Sequence, residues 1–411
     1  MRRVGIEAIN AYCGLAWVDV AELLCARGLD ASRLPNLMME RRSVSLPCED
    51  VVTYAVNAAQ PVIAALSPAQ RGRVELLLVA TESGIDFSKA VSSWVHDLLG
   101  LSRRCRVLEV KQACYAGTGA LQLAAAAVAA SPVRGALALV VTADVPVAKV
   151  GTYHEPAQAP GGVAVLVSDQ PAVASLDHGA NGLHSFHVMD AYRPEPDLDI
   201  VDTDLSLMTY LECLQGSFAD YARKVVGADF VTTFDLLVMH TPFPGMVKGA
   251  HRMLLHRLGK AGDVDVEADF AVRAEPSIQY ARQVGNPYSG SVLLALASAI
   301  THAPVAPAQR IGVFSYGSGC GSEFYSMVIT PQARKRVSAM GIDDALRARH
   351  RVDPASYDAL CAQHLPFGTH TASIDMASCE PLLNARSAPL LLFTGVAGYH
   401  RQYEWWGGQD D

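Results

Sequence analysis

Three side chains capable of acyl chemistry stand where apolar runs give way to turns: Glu82, Cys114 and His240. Cys114 lies in Val110-Lys111-Gln112-Ala113-Cys114-Tyr115-Ala116-Gly117, where a strand ends and a helix of small residues begins. That placement exposes the sulfur at a sharp turn and aims helix N–H groups at it. The helix dipole is expected to lower the thiol pKa, and the thiolate is the form that attacks a thioester. A packed core cysteine is the alternative. Glu82 follows the apolar run Val74–Ala80, and partial desolvation there raises a carboxyl pKa into the range useful for proton transfer. A helix-capping or solvated carboxylate is the alternative, which Asp86 fits better. His240 closes the run Phe234–Met239 before a Pro-rich turn and can offer a ring nitrogen to a substrate carbonyl, or be a satisfied core histidine. The turns Gly285–Ser291 and Tyr316–Ser322 hold Asn286 and Ser318, and glycine turns of this kind can set backbone N–H groups against an oxyanion.

The elements that must position these groups alternate along the chain. Val74–Ala80, Arg106–Val110, Ala136–Thr142 and Gly162–Val167 read as buried strands, as do Phe234–Met239, Arg310–Ser315 and Phe324–Ile329. Their hydrophobicity is continuous rather than alternating, which indicates strands covered on both faces. Ser88–Leu99, Gly117–Ala130, Gly245–Leu258 and Ser289–Ile300 read as helices between them. Interleaved strands and helices argue for a layered α/β fold. The plan repeats, giving two halves, 1–175 with Glu82 and Cys114 and 176–411 with His240 and Asn286. The first 70 residues and the region beyond about Pro331 are read as additions to this core. The tail Gly395–Trp406 is read as an amphipathic helix or an interface segment.

A formal charge of −8 speaks against nucleic-acid binding, and neither an apolar leader nor a membrane-length apolar stretch is seen, so a cytoplasmic protein is expected. Nine cysteines in 411 residues, with no CxxC pair, make neither a disulfide framework nor a zinc site.

The chain resembles the 3-hydroxy-3-methylglutaryl-CoA synthases, members of the thiolase-like superfamily. The resemblance runs from Val4 to about Ile329, through TESGIDFSKA (Thr81–Ala90), ACYAGTGAL (Ala113–Leu121), HTPFPGMVKGAHR (His240–Arg252), GNPYSGS (Gly285–Ser291) and FSYGSGCGSEFYS (Phe314–Ser326). It implies a layered αβαβα thiolase-like fold and a homodimer. It makes Cys114 the acyl carrier and Glu82 the general acid/base, with His240 polarising the acceptor and Asn286 and Ser318 near its carbonyl or thioester. No metal or organic cofactor is implied, because a thioester already acidifies its α-protons.

Departures from the family pattern bear on the substrate. Mevalonate-pathway members commonly carry Lys at the positions of Gly245 and Gly249, where cations would hold CoA phosphates; here Lys248 remains. The family's Tyr after the strand is Ala148, and EPTQGAGA reads Glu155-Pro156-Ala157-Gln158-Ala159-Pro160-Gly161-Gly162. Asn36–Ala59, Asp202–Leu214 and His400–Trp405 look instead like the polyketide β-branching branch, which acts on chains tethered to acyl carrier proteins. That likeness implies acetyl from a donor carrier protein and a β-ketoacyl acceptor on a polyketide synthase carrier protein. Carrier proteins are acidic, so Arg33, Arg41, Arg42 and Arg252 are docking candidates, with surface or structural roles as the alternative. The competing reading is the mevalonate-pathway enzyme using acetyl-CoA and acetoacetyl-CoA. A decayed scaffold protein and a chain-initiating ketoacyl synthase fit less well, given intact Cys114, Glu82 and His240.

Overall fold

The computed structural model describes residues 3–147, 149–304, 306, 308–383 and 388–407; the Ala148 substitution lies outside them. Nine strands make one mixed sheet: β1 Gly5–Tyr12, β2 Val74–Ala80, β3 Arg106–Val110, β4 Leu137–Asp144, β5 Gly161–Ser168, β6 Ala174–Leu183, β7 Leu236–Met239, β8 Gln309–Gly317 and β9 Gly321–Ile329. Their order is β7-β8-β9-β6-β1-β5-β4-β2-β3. Setting aside the edge strand β3, each half runs outward from the centre in the same sequence: first strand, fourth, third, second. The two first strands, β1 and β6, meet antiparallel through Gly5 with Ser175 and Ile6 with Ala174.

Alternate residues of these strands feed different cores, which is how the layers form. On one face Leu76, Leu78 and Val140 of the first half, with Leu236, Val238 and Val313 of the second, enclose helices α3 (Ala116–Ala130) and α6 (Ser291–His302). On the other face Leu77, Val79, Leu139 and Val141 pack under α1 (Val51–Ala64) and share a core with α2 (Val91–Leu98). In the second half Leu237, Met239 and Phe324 pack under α4 (Thr203–Lys224), beside α5 (Pro244–Arg257). The result is helix, sheet, paired central helices, sheet, helix. The window Ala113–Ala130 is long and apolar enough to cross a membrane, but α3 is one of the two central helices of this stack.

Two sequence expectations fail here. The first 70 residues are not an addition: β1 is the central strand, and α1, buried along most of its length, covers the sheet. The tail is not a helix. Leu390–Ala397 and His400–Trp406 form an antiparallel hairpin. It is tied to α1 by Asn57, whose amide donates to the Leu391 carbonyl at 3.0 Å and accepts from the Leu391 N–H at 2.8 Å. Alternating exposure along 400–404 is a strand's period of two, which the aromatic residues mask in sequence.

Candidate active site

The site gathers at the C-terminal ends of β2, β4, β7 and β8. Cys114 sits in the turn between β3 and α3, two residues before the first helical residue. Ala113 takes a φ of +44°, the left-handed region that turns the chain sharply and presents the next side chain. The helix behind it approaches closely because residue 117 is glycine. A Cβ there would lie 2.2 Å from the Ser289 carbonyl oxygen, so only Gly lets α3 meet the turn leading to α6.

Cys114 Sγ lies 3.6 Å from Glu82 Oε1. Burial first, then the Glu82 and Asp144 carboxyls, push the thiol pKa well above its ordinary value. The expected thiolate-favouring helix dipole is therefore outweighed. The helix begins only at Ala116, and the groups facing the sulfur are acidic. Glu82 keeps some solvent access, yet protein surrounds it closely. That desolvation, reinforced by Asp144 and opposed by Arg193, raises its carboxyl to about 8. The two groups thus form a pair in which the carboxylate is the proton acceptor for the thiol.

Asp144, the last residue of the wholly buried β4, anchors this corner. Its Oδ1 accepts the Glu82 N–H at 2.8 Å and the Thr81 and Ser83 hydroxyls at 3.0 Å each. Its Oδ2 accepts the Ser289 N–H at 3.0 Å. Sequence reasoning passed over this residue; its signal is a lone charge closing an otherwise apolar strand.

His240 is held by its backbone, whose N–H donates to Phe314 O at 2.8 Å and whose carbonyl accepts the Tyr210 hydroxyl at 2.7 Å. The ring lies between Tyr210 and Tyr316, each 6.2 Å away by centroid. Burial lowers its pKa to about 3, so the imidazole is neutral, and its Nδ1 meets no partner among the described residues. A neutral ring with an unengaged nitrogen suits a ligand better than an ion pair.

Asn286 is fixed by its N–H to Ala157 O at 2.8 Å and by its carbonyl, which accepts the Ala159 N–H at 3.1 Å. Its side-chain oxygen accepts the Tyr288 N–H at 3.0 Å, so the amide NH2 is its remaining side-chain donor. Ser318 lies in the turn joining β8 and β9. That turn rests on the Cys114 turn, since a Cβ at Gly317 would stand 2.5 Å from Gln112 O. Asp190 holds it by accepting the Gly319 N–H at 2.9 Å.

The remaining predicted residues divide. Lys248 pairs with Glu267 at 2.7 Å and lies over Phe270, so its charge is already engaged. At Gly245 a Cβ would stand 1.7 Å from the Asn36 carbonyl oxygen, so a lysine there is sterically barred, whereas Gly249 has nothing within 4 Å. Arg33 stacks on Tyr153 and Arg41 on Trp17. Arg42 is not available for docking. It is 4% exposed, donates to Glu155 O at 2.7 Å and stacks on Tyr357, a structural role that removes it from the docking set. Arg252 is exposed on α5. Three further residues that the sequence did not single out act on Glu82: Arg193, which donates to its carbonyl, Asp199, which pairs with Arg193, and Tyr288, which donates to Asp199.

The N-terminal family model "Hydroxymethylglutaryl-coenzyme A synthase N terminal" matches residues 1–172, and its C-terminal counterpart matches 174–260 and 257–366. The polyketide biosynthesis 3-hydroxy-3-methylglutaryl-ACP synthase PksG of Bacillus subtilis (strain 168) is 42% identical over 98% of this chain and 100% of its own. The hydroxymethylglutaryl-CoA synthase of Enterococcus faecalis is 33% identical over 88% of this chain and 92% of its own. Among solved structures, the curacin biosynthetic pathway HMG synthase in complex with acetyl donor-ACP superposes with a TM-score of 0.94. Its identity is 42%, over 98% of this chain and 100% of that one. The chain therefore has the thiolase-like fold and belongs to the hydroxymethylglutaryl-coenzyme A synthase family of carbon–carbon bond-forming acyltransferases.

Proposed function

We propose that this chain is the 3-hydroxy-3-methylglutaryl synthase of a polyketide pathway, and that Cys114 takes acetyl from a donor acyl carrier protein. The observation that carries the chemistry is the 3.6 Å contact between Cys114 Sγ and Glu82 Oε1. As the sulfur attacks the donor thioester, the ionised Glu82 accepts the thiol proton and returns one to the departing carrier thiol. With acetyl on Cys114, Glu82 removes a methyl proton. The enolate attacks the β-ketone of an acceptor chain on a polyketide synthase carrier protein. Neutral His240 donates a hydrogen bond to the alkoxide that forms, which takes up the proton held by Glu82, while Asn286 and Ser318 hold the acceptor carbonyl or thioester. Water then frees the product from Cys114.

Support for protein-tethered substrates over free CoA esters comes from Gly245, packed against Asn36 where a phosphate-holding lysine cannot stand. Lys248 is turned to Glu267 rather than left free. The likeness to PksG and to the curacin enzyme, which is solved with donor-ACP, points the same way. The division into halves 1–175 and 176–411 is the functional one in this reading: the first supplies the acyl carrier and its base, the second the acceptor groups. The enzyme works as a cytoplasmic homodimer.

Intact-mass analysis after incubation with acetyl-loaded donor carrier protein tests the assignment. Wild type gains one acetyl group, Cys114→Ala none, and Glu82→Ala acetylates slowly without condensing. Acetylation persisting in Cys114→Ala sinks the nucleophile. A donor preference for acetyl-CoA by a wide margin returns the chain to the mevalonate-type reaction.

A further inference from the structure

We propose that Arg193 and Asp199 are positioning residues for Glu82: the hairpin that carries them sets the carboxyl against Cys114 and couples it, through Tyr288, to Asn286. This rests on Glu82 being the base of the reaction above. The hairpin, Ala191–Glu195 paired with Leu198–Val201, belongs to neither half of the large sheet. Tyr192, Leu198 and Ile200 are exposed along it, whereas the side chains of Arg193 and Asp199 are each only 13% exposed and turn inward.

Their bonds form one chain across the site. Arg193 Nε and Nη2 donate to the two oxygens of Asp199 at 2.6 and 3.0 Å, the bidentate fork that fixes a guanidinium plane. The remaining arm, Nη1, donates to the backbone carbonyl of Glu82 at 3.2 Å. Asp199 Oδ2 also accepts the Tyr288 hydroxyl at 3.1 Å, and the Tyr288 N–H donates to Asn286 Oδ1 at 3.0 Å. The base of the first half and the acceptor-side amide of the second are thereby held at one spacing by a third element. A condensation that must align an enolate with a ketone depends on that spacing.

Charge adds a second consequence. Asp144 from β4 and Asp199 from the hairpin face Glu82 as anions, Cys114 and Tyr288 as neutral groups, and Arg193 as a cation. Arg193 favours the ionised Glu82 and Asp199 opposes it, so the pair sets when the base is available.

The test is the pH profile of condensation by acetyl-enzyme in the full-length Arg193→Gln, Arg193→Lys, Asp199→Asn and Glu82→Gln variants. Arg193→Gln is expected to move the midpoint up by about one pH unit, the lower end of what a neighbouring charge does to a carboxylate. Asp199→Asn moves it down, and Arg193→Lys restores it towards wild type while keeping a lower kcat. A hairpin with a merely structural role lowers the rate in both variants without opposite shifts. Profiles unmoved, or moved in the same direction, in folded Arg193→Gln and Asp199→Asn overturn the proposal. Wild-type condensation by Glu82→Gln instead overturns the base assignment beneath it, a distinguishable result.

Discussion

Asp144 joins the two halves of the site with one carboxylate: one oxygen accepts the Glu82 N–H at 2.8 Å, the other the Ser289 N–H at 3.0 Å. These bonds hold it with neutral N–H and hydroxyl donors rather than a cation, and burial still raises its pKa. Removing it leaves buried donors without an acceptor and frees the base from its seat.

Asp144→Ala is accordingly expected to cost kcat roughly 10²-fold, what an ångström of misplacement costs a catalytic group. Stability should fall by about 1–3 kcal/mol for an unsatisfied buried donor. Because Asp144 also raises the Glu82 pKa, the surviving activity should titrate at lower pH than wild type. Steady-state rates across pH, with urea denaturation alongside, check all three.

How much of this was legible beforehand depended on whether the signal was local. Val74–Ala80 and Arg106–Val110 were readable to the residue in their bounds because their apolar runs end in turns, but the second is an edge strand with no buried residue rather than the covered strand expected. Cys114, Glu82 and His240 stood out for the same reason, each closing or following such a run. Gly5–Tyr12 was not recognised as the central strand, since its Glu7 and Asn10 interrupt the apolar run and its partners lie 150 residues or more away. Arg193 and Asp199 had no readable signal at all. Their hairpin is Pro-bearing and polar, and Arg193 meets Glu82 across 111 residues of sequence. The thiol's pKa was misjudged because the sequence shows the helix behind Cys114 but not the carboxyls in front of it.

The raised Glu82 pKa gives the reaction its pH dependence. Acetyl transfer and enolisation both need the carboxylate, so both rates should climb with pH and level off above about 8. Folding stability runs the other way. A carboxyl whose folded pKa exceeds its unfolded value of 4.5 adds stability below that value and loses it as pH rises through about 8. Glu82→Gln should therefore melt higher than wild type at pH 9 and nearer to it at pH 4.5. Thermal melts of both proteins at the two pH values decide the matter; an unchanged difference contradicts the raised carboxyl pKa.

The two glycines that replace the family's lysines should behave differently. Gly245 is needed where it stands, because its helix meets the Asn36 carbonyl; Gly245→Ala should cost about 1–3 kcal/mol through overpacking. Gly249 faces open space on the same helix, so Gly249→Ala should stabilise by up to about 1 kcal/mol from helix propensity. Chemical denaturation of the pair measures both. Equal effects would mean that the close approach to Asn36 does not constrain the helix.

Among the arginines, burial separates a docking role from a structural one. Arg42, stacked on Tyr357 and bonded to the Glu155 carbonyl, should lose stability as Arg42→Ala whatever the donor. Arg252 is exposed on α5, the helix that follows His240, and an acidic carrier protein would meet it without rearrangement. Arg252→Glu should leave the melt unchanged and raise KM for the acetyl-loaded carrier protein several-fold, since rim charges act chiefly on encounter. The increase should shrink at high salt, where exposed charges are screened. An unaltered KM at low ionic strength would move the docking surface away from α5, towards Arg33 and Arg41.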